Sequence, residues 1–131
     1  MIEFIKINDS LSSIIIRHDF TIDGIEFFTQ STDSLQVGQM GRQKGYVIAP
    51  HIHRAVSRTI ELTNEVLLIK KGRVKVTFYD MDCAFHSNTI LDAGDVILLA
   101  NGGHGFEMLE DSEIVEVKQG PYVGDLDKFR F

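Results

Sequence analysis

His51-Ile52-His53 sets two imidazoles two residues apart. On a β-strand, residues at this spacing point to one face with Cα atoms ~6.5–7 Å apart, so both rings can converge on a single ion. On a helix the same spacing splays them, because helical neighbours lie three or four residues apart. The run Tyr46–Pro50 before them is strand-like, so a strand over Tyr46–His53 is expected. Two histidines on an exposed edge strand carry the same signature, so the pair needs further ligands to mean a metal site.

Two more residues are candidates, although the first also reads as a core histidine bonded to a backbone carbonyl and the second as a solvated strand-end glutamate. His104 lies in Asn101-Gly102-Gly103-His104-Gly105-Phe106. The flanking glycines allow a sharp turn and close backbone approach. In strand geometry His104 shares a face with Phe106 and Met108, which predicts that the face points inward. An inward histidine must be paired or must bind something. Glu65 opens the apolar run Glu65–Lys71 and shares a face with Leu67 and Ile69. A carboxylate on such a face needs a cation or hydrogen-bond donors, and a metal ion is one such partner. Glu61 is the rival carboxylate. Leu67, Ile69, Phe106 and Met108 are the expected lining of a partly apolar pocket.

The elements that must position these residues read as short strands. The runs are Ile2–Ile7, Leu11–Arg17, Ile25–Thr29, Leu35–Met40, Tyr46–His53, Glu65–Lys71, Arg73–Asp80, Thr89–Leu91, Asp95–Leu99, Gly105–Leu109 and Glu113–Lys118. Turn signals separate them at Asp23-Gly24, Lys71-Gly72, Ala93-Gly94 and Asn101-Gly102-Gly103. No stretch has a helical period with caps. Many short strands in 131 residues predict one all-β domain, an antiparallel sandwich or jelly roll spanning residues 1–131. Arg54–Asn64 reads as a loop, and Pro121–Phe131 as a charged tail with Phe129 and Phe131 as aromatic anchors. His86 reads as a loop residue within Asp82–Asn88, and His18 as a surface residue.

Net charge is −6 and the pI about 5.2, so nucleic acid and anionic membrane are not expected partners. The single cysteine, Cys83, excludes an internal disulfide, and with no basic, apolar leader at Met1–Ile7 a cytoplasmic location is expected. Lys70, Lys71, Arg73 and Lys75 read as a solvated hairpin flank.

On these residues the chain resembles the cupin superfamily. Gly45, five residues, then His51-Ile52-His53 follow its first motif, as do Glu65, six residues and Gly72. Gly94 and His104 fit the second. The chain departs from the pattern in four places, one of them a Gly94-to-His104 spacing one residue shorter than usual. Eleven residues separate His53 from Glu65, a longer gap than usual, Ala100 stands where proline is common, and Met108 stands at the usual asparagine. The resemblance implies a jelly-roll β-barrel (double-stranded β-helix) with a metal core over about residues 45–109, a His51, His53, Glu65, His104 site, a hairpin over Arg73–Ala93, and a homodimer. More narrowly, in the stretches Gly102–Glu110 and Val117–Asp125 the chain is similar to small stand-alone cupins of nucleotide-sugar and polysaccharide biosynthesis.

Three imidazoles and a carboxylate suit Mn, Fe, Co, Ni or Zn better than Mg or Ca. The expected function is a metal-dependent enzyme, of isomerase, epimerase or dioxygenase type, acting on a small molecule that is sugar-derived or anionic. Arg54 and Arg58 are candidates to grip an anionic group. A non-catalytic sugar-binding module is a second expectation. A metal-free sugar-nucleotide ketoisomerase, with histidine bases aided by Tyr46, is a third.

Overall fold

A computed structural model describes the whole chain, Met1–Phe131. The chain is all-β, with ten strands and antiparallel pairing throughout, and no helix is long and apolar enough to cross a membrane. It divides into two compact units, Met1–Phe20 with Leu62–Phe131, and Thr21–Glu61.

The larger unit holds β1 (Ile2–Ile7), β2 (Ser10–Ile16), β5 (Glu65–Lys71), β6 (Arg73–Tyr79), β7 (Phe85–Asp92), β8 (Val96–Leu99), β9 (Gly103–Met108) and β10 (Glu113–Lys118). These strands form a five-stranded sheet in the order β1-β2-β8-β5-β10 and a three-stranded sheet in the order β7-β6-β9. Neither closes into a barrel. The strand periodicity explains the core. Val74, Val76 and Phe78 alternate along β6 and are fully buried. They meet Ile15 of β2, Leu67 and Ile69 of β5, and Ile97 and Leu99 of β8 in one apolar cluster. The hairpin expected over Arg73–Ala93 is the β6–β7 pair. His86, expected in a loop, sits exposed on β7 with Nδ1 2.9 Å from Ser87 Oγ. The alternating Phe85–Asp92 run pairs along β6 earlier than its turn-like start suggests.

The β5–β6 hairpin turns at Gly72, whose φ of +89° lies in the left-handed region. A Cβ there would lie 2.5 Å from the Asp111 carbonyl oxygen and 2.8 Å from Ser112 Cα. Gly72→Ala is therefore expected to destabilise the protein by roughly 1–3 kcal/mol. A thermal midpoint unchanged from the parent would contradict this reading of the turn.

Asp95, buried in the turn before β8, organises one corner of this unit. Its carboxylate accepts from the backbone N–H groups of Asp92 (2.9 Å) and His18 (2.8 Å) and from Arg17 Nη1 (2.8 Å). Arg17 also donates to Glu3, Thr89 Oγ1 and the Ile90 carbonyl, which ties β1, β2 and β7 to the turn. Desolvation opposes the charged carboxylate, but the donors from Asp92, His18 and Arg17 outweigh it and hold its pKa below the usual range.

The smaller unit has one two-stranded sheet, β3 (Gly24–Phe27) with β4 (Gly38–Gly41). The loop between them is pinned by Gln36, which donates to the carbonyls of Gln30 and Asp33. Residues 46–60 have no regular secondary structure, so the strand expected over Tyr46–His53 is absent. No strand pairs with this run, Pro50 has no N–H to offer one, and Ile52 is 91% exposed. Apolar composition alone gives it the look of a strand.

Candidate functional site

The larger unit contains a cavity of about 770 Å³, lined among others by residues of β9, by Glu116 of β10 and by residues 127–131. Glu65 and His104 both line it. Glu65 is the first residue of β5 and shares the inward face with Leu67 and Ile69, as expected from the sequence. Its side chain is only 13% exposed. His104 pairs across β6–β9 with Phe78, on the face that carries the buried Val74, Val76 and Phe78. The two residues belong to different sheets, and His104 Nε2 lies 3.4 Å from Glu65 Oε2. The hydrogen bond to His104 lowers the Glu65 pKa, burial works against it, and the charges of His104, Lys118 and Lys128 add to the lowering.

Phe106 and Met108 correct the expectation of a buried face. They lie opposite Val76 and Val74, so the face is the expected one. They are nevertheless 37% and 50% exposed, because β9 is an edge strand with a partner on one side only. Phe106 borders the cavity, with its ring 5.6 Å from that of His104.

His51 and His53 belong to the smaller unit. Without a strand to align them, their rings still pack edge to face with centroids 5.2 Å apart. His51 Nδ1 lies 2.9 Å from the Ala49 carbonyl oxygen. A carbonyl only accepts, so the contact takes an Nδ1–H as its donor. Arg54, Arg58 and Glu61 are exposed in the same unit. Tyr46 is exposed as well, with the Arg42 guanidinium 4.4 Å above its ring. The structure thus brings together Glu65 with His104 in one unit and His51 with His53 in the other. Within neither unit do three or more His, Cys, Asp or Glu side chains gather around one point.

Sequence reasoning missed the wall that residues 127–131 build on the cavity. Phe131 packs edge to face on Tyr79 at 5.1 Å, and Phe129 lies nearly parallel to Phe131 at 6.3 Å and 19°. Thr63 Oγ1 donates to Asp127 at 2.9 Å and anchors the segment. Within the chain this segment folds back on the larger unit. Gly103 makes room for it, since a Cβ there would lie 2.9 Å from Phe131 Cζ. The spacing of Phe129 and Phe131 is the available signal, since in an extended segment it sets both rings on one side.

Compared with protein-family models, with curated proteins and with solved structures, the chain matches none.

Proposed function

We propose that the chain is a cupin-type, metal-dependent enzyme that acts on a small molecule in the Glu65–His104 cavity. The observation that carries this reading is the Glu65–His104 pair itself: an inward carboxylate and an imidazole from two sheets, nitrogen to oxygen 3.4 Å, inside a cavity of about 770 Å³. The volume suits a small ligand. The open sandwich over a single apolar core supports a jelly-roll arrangement.

One oxygen and one nitrogen donor fit a divalent ion of the Mn, Fe, Co, Ni or Zn group. The cupin resemblance implies His51 and His53 as further ligands. Such an ion supplies Lewis acidity toward a carbonyl or enediol, the need of an isomerase, epimerase or dioxygenase. The protein's own part is to hold Glu65 ionised, to orient His104, and to set an apolar wall of Leu99 and Phe106 beside them. Elemental analysis of protein reconstituted with each metal tests the reading. About one ion per chain is expected, and none after every reconstitution would overturn it.

A second reading rests on the same pair. Glu65 within hydrogen-bonding reach of His104 could orient it as a general base, which a metal-free sugar-nucleotide ketoisomerase would require of a histidine. Turnover that survives exhaustive chelation would favour it.

A further inference from the structure

We propose that residues 125–131 are a gate on the Glu65–His104 cavity, hinged at Gly124, which opens when Phe131 leaves Tyr79 and Gly103. The inference rests on that cavity being the functional site and adds the control of access to it.

The first ground is how unevenly the chain is held after β10. The strand ends at Lys118 inside a five-stranded sheet, and the residue after it is anchored. Buried Asn64 donates its N–H to Gln119 Oε1 at 2.9 Å, and its carbonyl accepts from the Gln119 N–H at 3.3 Å. Beyond Gly120 there is no strand, and no residue from Pro121 to Phe131 is buried. Tyr122, Leu126 and Phe129 are 85%, 90% and 80% exposed. A segment that buries so little apolar surface opens at a small fraction of the cost of global unfolding.

The second ground is that the outer part moves as a piece. Arg130 forks onto Asp125, with both nitrogens 3.2 Å from the carboxylate oxygens, and the Lys128 N–H donates to the Asp125 carbonyl. These bonds are internal and survive opening. The body holds the piece through the Thr63–Asp127 hydrogen bond and through Phe131 against Tyr79 and Gly103. Gly124, just before it, has a φ of +69°, and a Cβ there would meet nothing within 4 Å. A glycine in open space absorbs the backbone change that a hinge needs.

The third ground is what the closed piece faces. Asp127, Lys128, Phe129, Arg130 and Phe131 all line the cavity. The Glu65 pKa, lowered first by the His104 hydrogen bond, is lowered further by the charge of Lys128. Closure therefore brings a cation toward the functional pair as well as two rings.

The test uses the full chain without metal, so it does not depend on whether the cavity takes an ion. Phe131→Ala supplies the open reference for the NMR signals of the Gly103 amide and the Tyr79 ring. Thr63→Val removes the hydrogen bond to Asp127 and leaves every ring in place. Losing one such bond should enlarge the open fraction roughly three- to tenfold. The Gly103 and Tyr79 signals of Thr63→Val should then lie between those of the parent and of Phe131→Ala. Cys83, the one cysteine, also lines the cavity, and its reaction with a bulky aromatic disulfide should speed up by a similar factor. Thr63→Ser keeps the hydroxyl and should behave as the parent. Neither Thr63 nor Phe131 is buried, so the variants should melt near the parent. Thr63→Val with the parent's signals and the parent's Cys83 rate would overturn the inference. Signals that move with no gain in the Cys83 rate would overturn it too, since the piece would then move without gating. Either failure leaves the metal reading standing, and absence of metal uptake leaves the gate standing.

Discussion

Replacing Asp95 with alanine is expected to lower stability by about 3–5 kcal/mol, which for a domain of this size is a midpoint drop of roughly 10–20 °C. The carboxylate is 1% exposed and accepts three hydrogen bonds shorter than 3 Å, two from backbone N–H groups and one from Arg17. Its loss leaves the Asp92 and His18 amides without their acceptor and Arg17 with Glu3 as its one remaining carboxylate partner. Asp95→Asn keeps the shape but turns an N–H₂ toward donors, so it should recover only part of the loss. The pH dependence has a definite sign. The folded-state pKa of Asp95 lies below its unfolded value near 3.8, so its contribution is complete above that value and fades as pH falls through the folded one. Below about pH 4 the gap between the parent and Asp95→Asn should therefore narrow. A constant gap from pH 7 down to pH 2, in denaturant melts of both proteins, would refute the electrostatic account of this corner.

The second large effect belongs to Glu65 and His104. A ligand that binds only the folded state stabilises it by about 2.7 kcal/mol at a hundredfold excess over its Kd. The parent protein should thus melt roughly 5–15 °C higher in saturating Mn, Ni or Zn than in chelator. Glu65→Gln and His104→Ala each remove a proposed donor, and each should weaken the metal by at least about a hundredfold and abolish most of that shift. Glu65→Gln also removes a charge that the fold holds ionised, so its melt in chelator supplies the baseline. His51→Ala with His53→Ala tests the motif assignment: a shift as small as that of His104→Ala supports all four ligands, and a full shift leaves the ion to Glu65 and His104. An equal midpoint with and without metal in the parent would refute the site.

The legible parts of this fold share one property: local alternation agrees with what the pairing then buries. Val74, Val76 and Phe78 read as one face and are the centre of the core. Glu65, Leu67 and Ile69 read as one inward face, and that alternation by itself marks Glu65 as a candidate ligand. Gly72 reads as a turn and has the backbone that only such a turn requires.

The illegible parts depend on what lies across from a residue, which periodicity does not encode. Tyr46–His53 has strand composition but no partner strand, so it stays irregular and exposed. Phe106 and Met108 have the right face, yet β9 ends its sheet, and no strand flanks them on the outer side. Residues 121–131 read as a tail because no short-range pattern reveals that Tyr79, some fifty residues earlier, receives Phe131. The same limit applies to the histidines. The spacing of His51 and His53 predicts proximity, and their rings do pack together, but through a loop and not along a strand.

The most direct test of the metal site is anomalous X-ray diffraction from crystals of the reconstituted protein, collected at the absorption edge of the loaded metal. The expected result is a single strong peak about 2.0–2.3 Å from a carboxylate oxygen of Glu65 and a ring nitrogen of His104. A peak at any other set of side chains, or no peak from protein that took up no metal, would contradict it.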